Sequence, residues 1–168
     1  KGYFLIVSRL NEWKRVDIAV EAFTKLNVPL YVIGDGPDRS NLEKKAGSNV
    51  KFLGFVSEKD KFTYLKSCRA LVVTQEEDFG IVTLEANACG RPVIAYKGGG
   101  SLELISDGIN GLFFPKQQVA SLIQSLERFD QIKFNRENCL NAARRFTKDR
   151  FKKALADFVQ SKMNFSAG

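Results

Sequence analysis

Residues 3–34, YFLIVSRLNEWKRVDIAVEAFTKLNVPLYVIG, decide the fold of this 168-residue chain. Two short apolar runs, YFLIVS at 3–8 and LYVIG at 30–34, flank a segment whose apolar residues recur every three or four positions. The recurring residues are Val16, Ala19, Val20, Phe23 and Leu26. Short apolar runs predict buried strands, and the three-to-four spacing predicts an amphipathic helix. The stretch therefore predicts two parallel strands joined by a crossover helix.

The same alternation continues for two thirds of the chain. Further apolar runs follow: VKFLG at 50–54, ALVVT at 70–74, PVIAY at 92–96 and GLFF at 111–114. Beyond them the pattern is helical only, in segments at 119–129 and 136–146 and in a last helix for which Thr147 is the expected N-cap. We predict an α/β, Rossmann-like parallel sheet of about six strands, with helices on both faces and additional C-terminal helices. The length suits a single domain, 1–168.

Composition excludes several classes of chemistry. The chain has no histidine, which removes imidazole bases, Ser–His and Cys–His pairs and the commonest metal ligand. Its net charge is +7, but the 26 Lys and Arg residues are spread along the chain, so a nucleic-acid partner is not expected. The three cysteines lie far apart and outside any CxxC pattern, which indicates reduced core thiols and neither disulfides nor a metal site.

Neither a membrane span nor a signal peptide is visible in the sequence. We therefore expect a soluble, cytoplasmic protein. The chain opens without Met and enters its first strand by the third residue, which suggests a piece of something longer.

Ligands of such sheets bind beyond the carboxyl ends of the strands, so the loops there are the candidate sites. In SRLNEWKR, at 8–15, a helix beginning near Asn11 or Glu12 would place Lys14 and Arg15 in its first turn. The helix dipole disfavours cations there, and a bound anion would remove the conflict. The alternative is that both side chains extend into solvent.

Two glycine-containing loops follow other strands. IGDGPDRS, at 33–40, has Arg39 where a dinucleotide fingerprint needs a third small residue, so a turn with Pro37 at the first helical position explains it better. YKGGGSLE, at 96–103, could form a concave nest of backbone N–H groups that holds an anion, or it could be a flexible loop.

The acidic stretch EEDFGIVTLEA, at 76–86, follows the run at 70–74. A helix opening at Gly80 would leave Glu85 on an apolar face, where an ionised carboxylate needs hydrogen-bond donors. Those donors would belong to a ligand, or to an internal salt bridge with Arg9 or Lys97.

Glu77 and Glu85 form an E-x7-E motif, and EDFGIVTLEANACGRPVIA at 77–95 resembles the donor-binding half of retaining glycosyltransferases of family 4, which have the GT-B fold. The resemblance covers nearly the whole chain. SRLNEWKRVDIAVEAF, VIGDGPDRSNLEKKA, VKFLGFVS and GGGSLELISDGINGLFF are similar to that family's successive motifs, in the same order. Leu102 stands where many members have proline, so the glycine loop is expected to be less rigid.

The resemblance implies a role for each matching residue. Arg9 and Lys14 would bind the donor diphosphate and neutralise the departing charge, and Glu77 would accept hydrogen bonds from sugar hydroxyls; these three are the implied catalytic residues. Glu85 would hold the ribose hydroxyls. The remaining donor-binding residues would act through their backbone, and they are Val56, Phe79, Gly80, Ile81, Val82, Gly98 and Gly99.

The resemblance further implies that no metal or other cofactor is needed. KRVD together with EEDFGI is similar to mannosyltransferases that act on polysaccharide or lipid-linked glycans, which implies GDP-mannose as donor. The acceptor-binding N-terminal domain is absent from this chain, so we expect the isolated domain to transfer little or no sugar. Peripheral contact with the inner face of the membrane is possible only for the whole protein. A GT-B nucleotide-sugar epimerase and a non-catalytic module that binds nucleoside diphosphates are the alternatives.

Overall fold

The computed structural model describes residues 2–165, and within them the fold is an α/β layered structure. The strands are β1 Phe4–Val7, β2 Leu30–Ile33, β3 Val50–Gly54, β4 Leu71–Val73, β5 Val93–Tyr96 and β6 Gly111–Phe114. The helices are α1 Val16–Leu26, α2 Arg39–Lys45, α3 Glu58–Ser67, α4 Ile81–Ala88, α5 Ser101–Leu104, α6 Val119–Gln131, α7 Arg136–Arg144 and α8 Lys148–Phe165. Each predicted strand is found, and its bounds agree to within about two residues.

The sheet is parallel throughout and has the order β3-β2-β1-β4-β5-β6. β2 and then β3 lie on one side of β1, whereas β4, β5 and β6 lie on its other side. This is the doubly wound Rossmann order, in which a crevice opens at the carboxyl ends of the two strands where the order reverses. The topology therefore locates the candidate site between β1 and β4.

Side chains alternate between two cores, one on each face of the sheet. Phe4 and Ile6 of β1 pack into the core that is covered by α1, α2 and α6, whereas Leu5 packs into the core covered by α3, α4 and α5. α7 packs against α4. Both faces of every central strand are thus apolar, which explains why the strands read as continuous hydrophobic runs.

Two predicted helix starts are wrong. The chain after β1 forms a single 3-10 turn at Glu12–Lys14, Arg15 adopts a left-handed conformation with φ 53°, and α1 begins only at Val16. Lys14 and Arg15 therefore precede α1 instead of occupying its first turn. Pro37 likewise lies in a turn, and α2 begins two residues later at Arg39.

The last helix, α8, differs from the others in its exposure. Thr147 caps it as predicted, since the amide of Arg150 donates to Thr147 Oγ1 over 3.4 Å. From 149 to 163 its residues are all exposed, including Phe151, Phe158 and Met163. None of the helices in residues 2–165 is both long and apolar enough to cross a membrane.

Candidate functional site

Two neighbouring cavities occupy the crevice at the carboxyl edge of the sheet. The larger has a volume of about 870 Å³ and the smaller about 240 Å³. Val7, Ser8, Arg9 and Val82 line both, so the two cavities are neighbours that share a wall. A single elongated ligand could therefore occupy both.

The larger cavity extends from β1 over the ends of β2 and β3. Its floor is mostly apolar, and polar groups stand at its rim. The lining residues are Val7, Ser8, Arg9, Ile33, Gly34, Asp35, Gly36, Phe55, Val56, Glu58, Lys61 and Val82. Phe55 is 85% exposed although it is a large aromatic residue. An apolar floor with a few polar groups suits a flat heterocyclic ligand.

The smaller cavity lies between the ends of β1 and β4 and has a different character. Two cations, Arg9 and Lys14, line it together with Gln75 and Glu77 from the β4 loop and Thr83 from α4. It therefore brings together the three residues predicted as catalytic. The combination of cations with one carboxylate suits a ligand that carries both phosphate and hydroxyl groups.

The Arg9 loop is held against the loop that follows β2. The amide of Leu10 donates to the carbonyl of Asp35, and the amide of Asp38 donates to the carbonyl of Leu10, at 2.9 and 3.0 Å. A Cβ atom on Gly34 would lie 1.9 Å from the Ser8 carbonyl oxygen, and one on Gly36 would lie 2.3 Å from that of Leu10. The two glycines of IGDGPDRS are therefore required for close backbone approach, a role that the sequence analysis missed.

Asp35 closes the same loop. Its carboxylate accepts a hydrogen bond of 2.7 Å from the amide of Gly36 and pairs with Arg39 at 3.0 Å. The hydrogen bond from Gly36 and then that from Arg39 hold the pKa of Asp35 below its usual value. Arg39, which breaks the dinucleotide fingerprint, thus has a structural partner.

Two contacts position Lys14, one with the end of β4 and one with the neighbouring Trp13. Its carbonyl accepts a hydrogen bond of 2.8 Å from Thr74 Oγ1 at the end of β4, and its Nζ lies 4.1 Å from the centroid of the Trp13 ring. The left-handed Arg15 reverses the chain immediately afterwards. Lys14 is thereby held beside the small cavity at the end of the 3-10 turn, before α1 begins.

The N-terminus of α4 points a set of backbone amides towards the crevice. Gly80 is the N-cap, with φ 81°, and the first intrahelical hydrogen bond runs from Leu84 to Gly80 over 3.2 Å. The amides of Ile81, Val82 and Thr83 therefore have no carbonyl one turn earlier. Val82 lines both cavities, whereas Phe79 is exposed beside them. Free amides at a helix N-terminus favour anionic groups.

Glu77 is oriented by its neighbour in the chain. Gln75, which is 7% exposed, donates a hydrogen bond from Nε2 to Glu77 Oε2. The backbone of Glu77 also accepts a hydrogen bond of 2.5 Å from the amide of Gly100. Gln75 is a further site residue that the sequence analysis did not select.

The glycine loop supports the acidic loop instead of forming an open nest. The amide of Gly98 donates to the Tyr96 carbonyl over 2.9 Å, and Gly99 pairs with Glu77 in an isolated parallel bridge. A Cβ atom on Gly99 would lie 2.3 Å from the Glu77 carbonyl oxygen. Neither Gly98 nor Gly99 belongs to the walls of the two cavities. The loop therefore positions Glu77, and a direct contact of Gly98 or Gly99 with a ligand stays a prediction.

Glu85 has an ionic partner that was not predicted. Its Oε1 lies 2.8 Å from Nζ of Lys61, and Lys61 also pairs with Glu58 at 2.9 Å. The internal salt bridge expected as the alternative is therefore present, but the expected partners, Arg9 and Lys97, were wrong. Burial on its own would lower the pKa of Lys61, but hydrogen bonds to Glu85 and Glu58 outweigh that effect and raise it. Lys61 remains charged and neutralises part of the acid at the large cavity.

Three buried side-chain atoms lack a hydrogen-bond partner among the described residues. They are Thr83 Oγ1, Glu85 Oε2 and Ser101 Oγ. Two of the three belong to α4, the helix that faces both cavities. Thr83 lines the smaller cavity, whereas Glu85 lies on the same helix and lines neither cavity. Buried polar atoms are normally satisfied, so the hydroxyl of Thr83 is a candidate for contact with a ligand in the smaller cavity. In residues 2–165 no cluster of three or more Cys, Asp or Glu side chains could hold a metal ion.

Comparison with known proteins identifies the family. The model of a family described as glycosyl transferases group 1 matches residues 1–146. An uncharacterised glycosyltransferase of Methanocaldococcus jannaschii is 32% identical over 130 residues, 74% of this chain and 37% of that protein. O-antigen chain mannosyltransferase C of Escherichia coli is 27% identical over 133 residues, 74% of this chain and 36% of that protein. The chain thus spans little more than a third of the length of these relatives.

Solved structures agree on the fold. The crystal structure of Anabaena HepE in complex with UDP superposes with a TM-score of 0.81 at 26% identity, covering 96% of this chain and 49% of that one. The predicted fold class is thereby confirmed as a Rossmann-like domain of the kind found in GT-B glycosyltransferases. Together with the match over residues 1–146, this shows that the chain belongs to the group 1 glycosyltransferase family.

Proposed function

We propose that this chain is the nucleotide-sugar binding domain of a retaining glycosyltransferase. The observation that carries the proposal is the convergence of Arg9, Lys14, Glu77 and the free N-terminus of α4 on one small cavity, which adjoins a larger apolar one. A sugar nucleotide has the matching sequence of groups: a flat base, a ribose, a diphosphate and a sugar.

The diphosphate fits the smaller cavity. Arg9 and Lys14 supply positive charge there, and the amides of Ile81, Val82 and Thr83 supply hydrogen-bond donors. When the bond between the anomeric carbon and the phosphate oxygen breaks, its electron pair leaves with the diphosphate. Fixed cations and amides stabilise that growing negative charge without reorganising, so this site would promote departure of the nucleotide.

For the remaining groups of the donor we propose the contacts that the family resemblance implies. Glu77, held by Gln75, accepts hydrogen bonds from sugar hydroxyls, and Glu85 accepts them from the ribose. Val56 lies in the wall of the larger cavity, where its backbone can meet the base. Because cations and amides neutralise the diphosphate, the proposal needs no metal ion or other cofactor.

We further propose that the donor is GDP-mannose and that the acceptor is a glycan or lipid-linked glycan. The relative in Escherichia coli that is named a mannosyltransferase supports the sugar. A uridine donor is the second candidate, because the HepE structures contain UDP and UDP-glucose. The acceptor would be bound by a second domain, which accounts for the length of the relatives, and this domain alone would transfer little or no sugar.

Calorimetric titration of the chain tests the proposal. We expect GDP to bind more tightly than UDP or ADP, and GDP-mannose more tightly than GDP-glucose. Arg9→Ala should weaken diphosphate binding by about tenfold or more, since a charge-assisted hydrogen bond to phosphate is lost. A preference for UDP would support the second candidate for the base and leave the assignment of the phosphate site intact.

The matched control is Arg150→Ala on α8, which removes the same charge from a residue that lines neither cavity. Equal losses of affinity in the two variants would mean that Arg9 acts only through the overall charge of the protein. That result would contradict its assignment to the phosphate site. A folded chain that ignores every nucleotide at millimolar concentration would contradict the whole proposal. An assay of sugar transfer by the full-length protein distinguishes the proposed transferase from the two alternatives, an epimerase and a non-catalytic module.

A further inference from the structure

Lys61 stands out among the charged residues of the larger cavity. Its side chain is 12% exposed, yet it reaches from α3 to the cavity wall, where Glu58 also lies. It pairs with Glu58 and with Glu85, which lies behind it and lines neither cavity. The partners are unequal, since the side chain of Glu58 is 79% exposed and that of Glu85 is 19% exposed. An ion pair with an exposed partner contributes little, so the pair with Glu85 is the one that fixes Lys61.

The two oxygens of Glu85 have different environments. Oε1 accepts the hydrogen bond of 2.8 Å from Lys61. Oε2 is buried and has no partner among the described residues. A salt bridge that served stability alone would be expected to satisfy both oxygens, because an unpaired buried oxygen reduces the benefit of the pair. This difference between the two oxygens indicates that Oε2 is left to accept a hydrogen bond from another donor.

We propose that Lys61 is a positioning residue of the donor site, which holds Glu85 by one oxygen so that the other can accept hydrogen bonds from the ribose hydroxyls of the bound nucleotide. This inference rests on the proposed function and adds a residue to it. Lys61 places a positive charge beside Glu85 in a partly buried place, and it fixes the rotation of the carboxylate. Both effects act on the ligand through Glu85.

The test compares nucleotides with and without ribose hydroxyls. The probes are GDP and 2′,3′-dideoxyguanosine diphosphate, or the uridine pair if uridine is the base that binds. Wild-type protein should prefer the hydroxylated ligand. Lys61→Met should reduce affinity for that ligand by about tenfold and leave the affinity for the dideoxy ligand nearly unchanged, because only the first ligand uses Glu85.

Two variants serve as controls. Lys59→Met removes the same charge from an exposed position on the same helix, and it should leave both affinities unchanged. Lys61→Arg keeps the charge and a donor beside Glu85, so it should restore most of the preference for ribose hydroxyls. Thermal unfolding of each variant reports whether the fold is retained.

Loss of the counter-charge could unfold Lys61→Met, so the double variant Lys61→Met/Glu85→Gln is measured beside Glu85→Gln alone. We expect the two to bind the hydroxylated nucleotide equally, since Lys61 has no role once the Glu85 charge is gone. A further loss in the double variant, or equal losses of the two ligands in Lys61→Met, overturns the inference and leaves the proposed function standing. If the wild-type protein binds no nucleotide, both this inference and the proposed function are overturned.

Discussion

At the scale of single residues, the site depends on glycines as much as on charged side chains. Arg9 is exposed at the sheet edge, and its backbone is fixed by the loop after β2, which approaches so closely that no Cβ fits at Gly34 or Gly36. The sequence showed the GxG pattern, but it did not show that the surface facing these glycines is the neighbouring Arg9 loop. The two loops meet in this way only because β1 and β2 pair in the register that the sheet has.

Gly36→Ala tests this dependence. The added Cβ would lie 2.3 Å from the Leu10 carbonyl oxygen, so the Arg9 loop must move. We expect a loss of stability of about 1–3 kcal/mol, typical of overpacking, and weaker nucleotide binding in calorimetric titrations. Gly2→Ala is the control, because its added Cβ meets only the flexible side chain of Arg69, at 3.0 Å. Unchanged binding by Gly36→Ala would mean that Arg9 does not depend on this packing.

At the scale of elements, strands were predictable and helix starts were less so. Strands covered on both faces must be apolar at every position, and six such runs stand out in the sequence. Helix starts depend on local backbone geometry. The left-handed Arg15 that delays α1 is a conformation that non-glycine residues rarely adopt, so periodicity could not reveal it.

The candidate site was predictable where its residues share one loop or one helix. The E-x7-E spacing located Glu77 and Glu85, but it did not reveal the partner of Glu85. Lys61 lies 24 positions earlier on another helix, and only the packing of α3 beside α4 brings the two together. Pairings of that kind follow from tertiary structure, and the two cations that the sequence suggested, Arg9 and Lys97, were not the partner.

α8 provides a prediction about one whole element. Its residues from 149 to 163 are exposed, so deleting residues 148–168 removes little buried surface. We expect the free energy of unfolding in urea to change by less than about 1 kcal/mol, and nucleotide affinity to stay the same.

A longer deletion, of residues 136–168, is the contrasting variant. It also removes α7, which packs on α4 and contains the fully buried Cys139, so it should unfold the protein or weaken it severely. If the shorter deletion were equally harmful, α8 would have to be part of the folded core.

At the scale of the whole molecule, the doubly wound topology explains why residues far apart in the chain share one site. Arg9 follows β1 and Glu77 follows β4, and these strands are neighbours at the point where the order reverses. In the proposed transferase an acceptor-binding domain would close this crevice.

Buried thiols also determine how the molecule responds to alkaline pH. Burial, the largest effect, raises the pKa of Cys68 to about 12, with a smaller raising effect from Cys89 and a lowering one from Arg91. Burial likewise raises the pKa of Cys139 to about 11. In the unfolded chain these thiols lose their protons near pH 8.5. Between these values the folded protein holds protons that the unfolded chain has released.

We therefore expect the contribution of these two thiols to the free energy of unfolding to be constant up to about pH 8.5 and then to fall as pH rises, by roughly 1.4 kcal/mol per pH unit for each thiol. The measurement is urea unfolding at pH 8, 9 and 10 with a reductant that prevents disulfide formation. Cys68→Ala/Cys139→Ala has lower stability at pH 8, because two buried sulfurs are removed, but its decline with pH should be clearly shallower than that of the parent. Equal slopes in the two proteins would show that other groups, such as Tyr3, whose pKa burial raises to about 12, dominate the alkaline response.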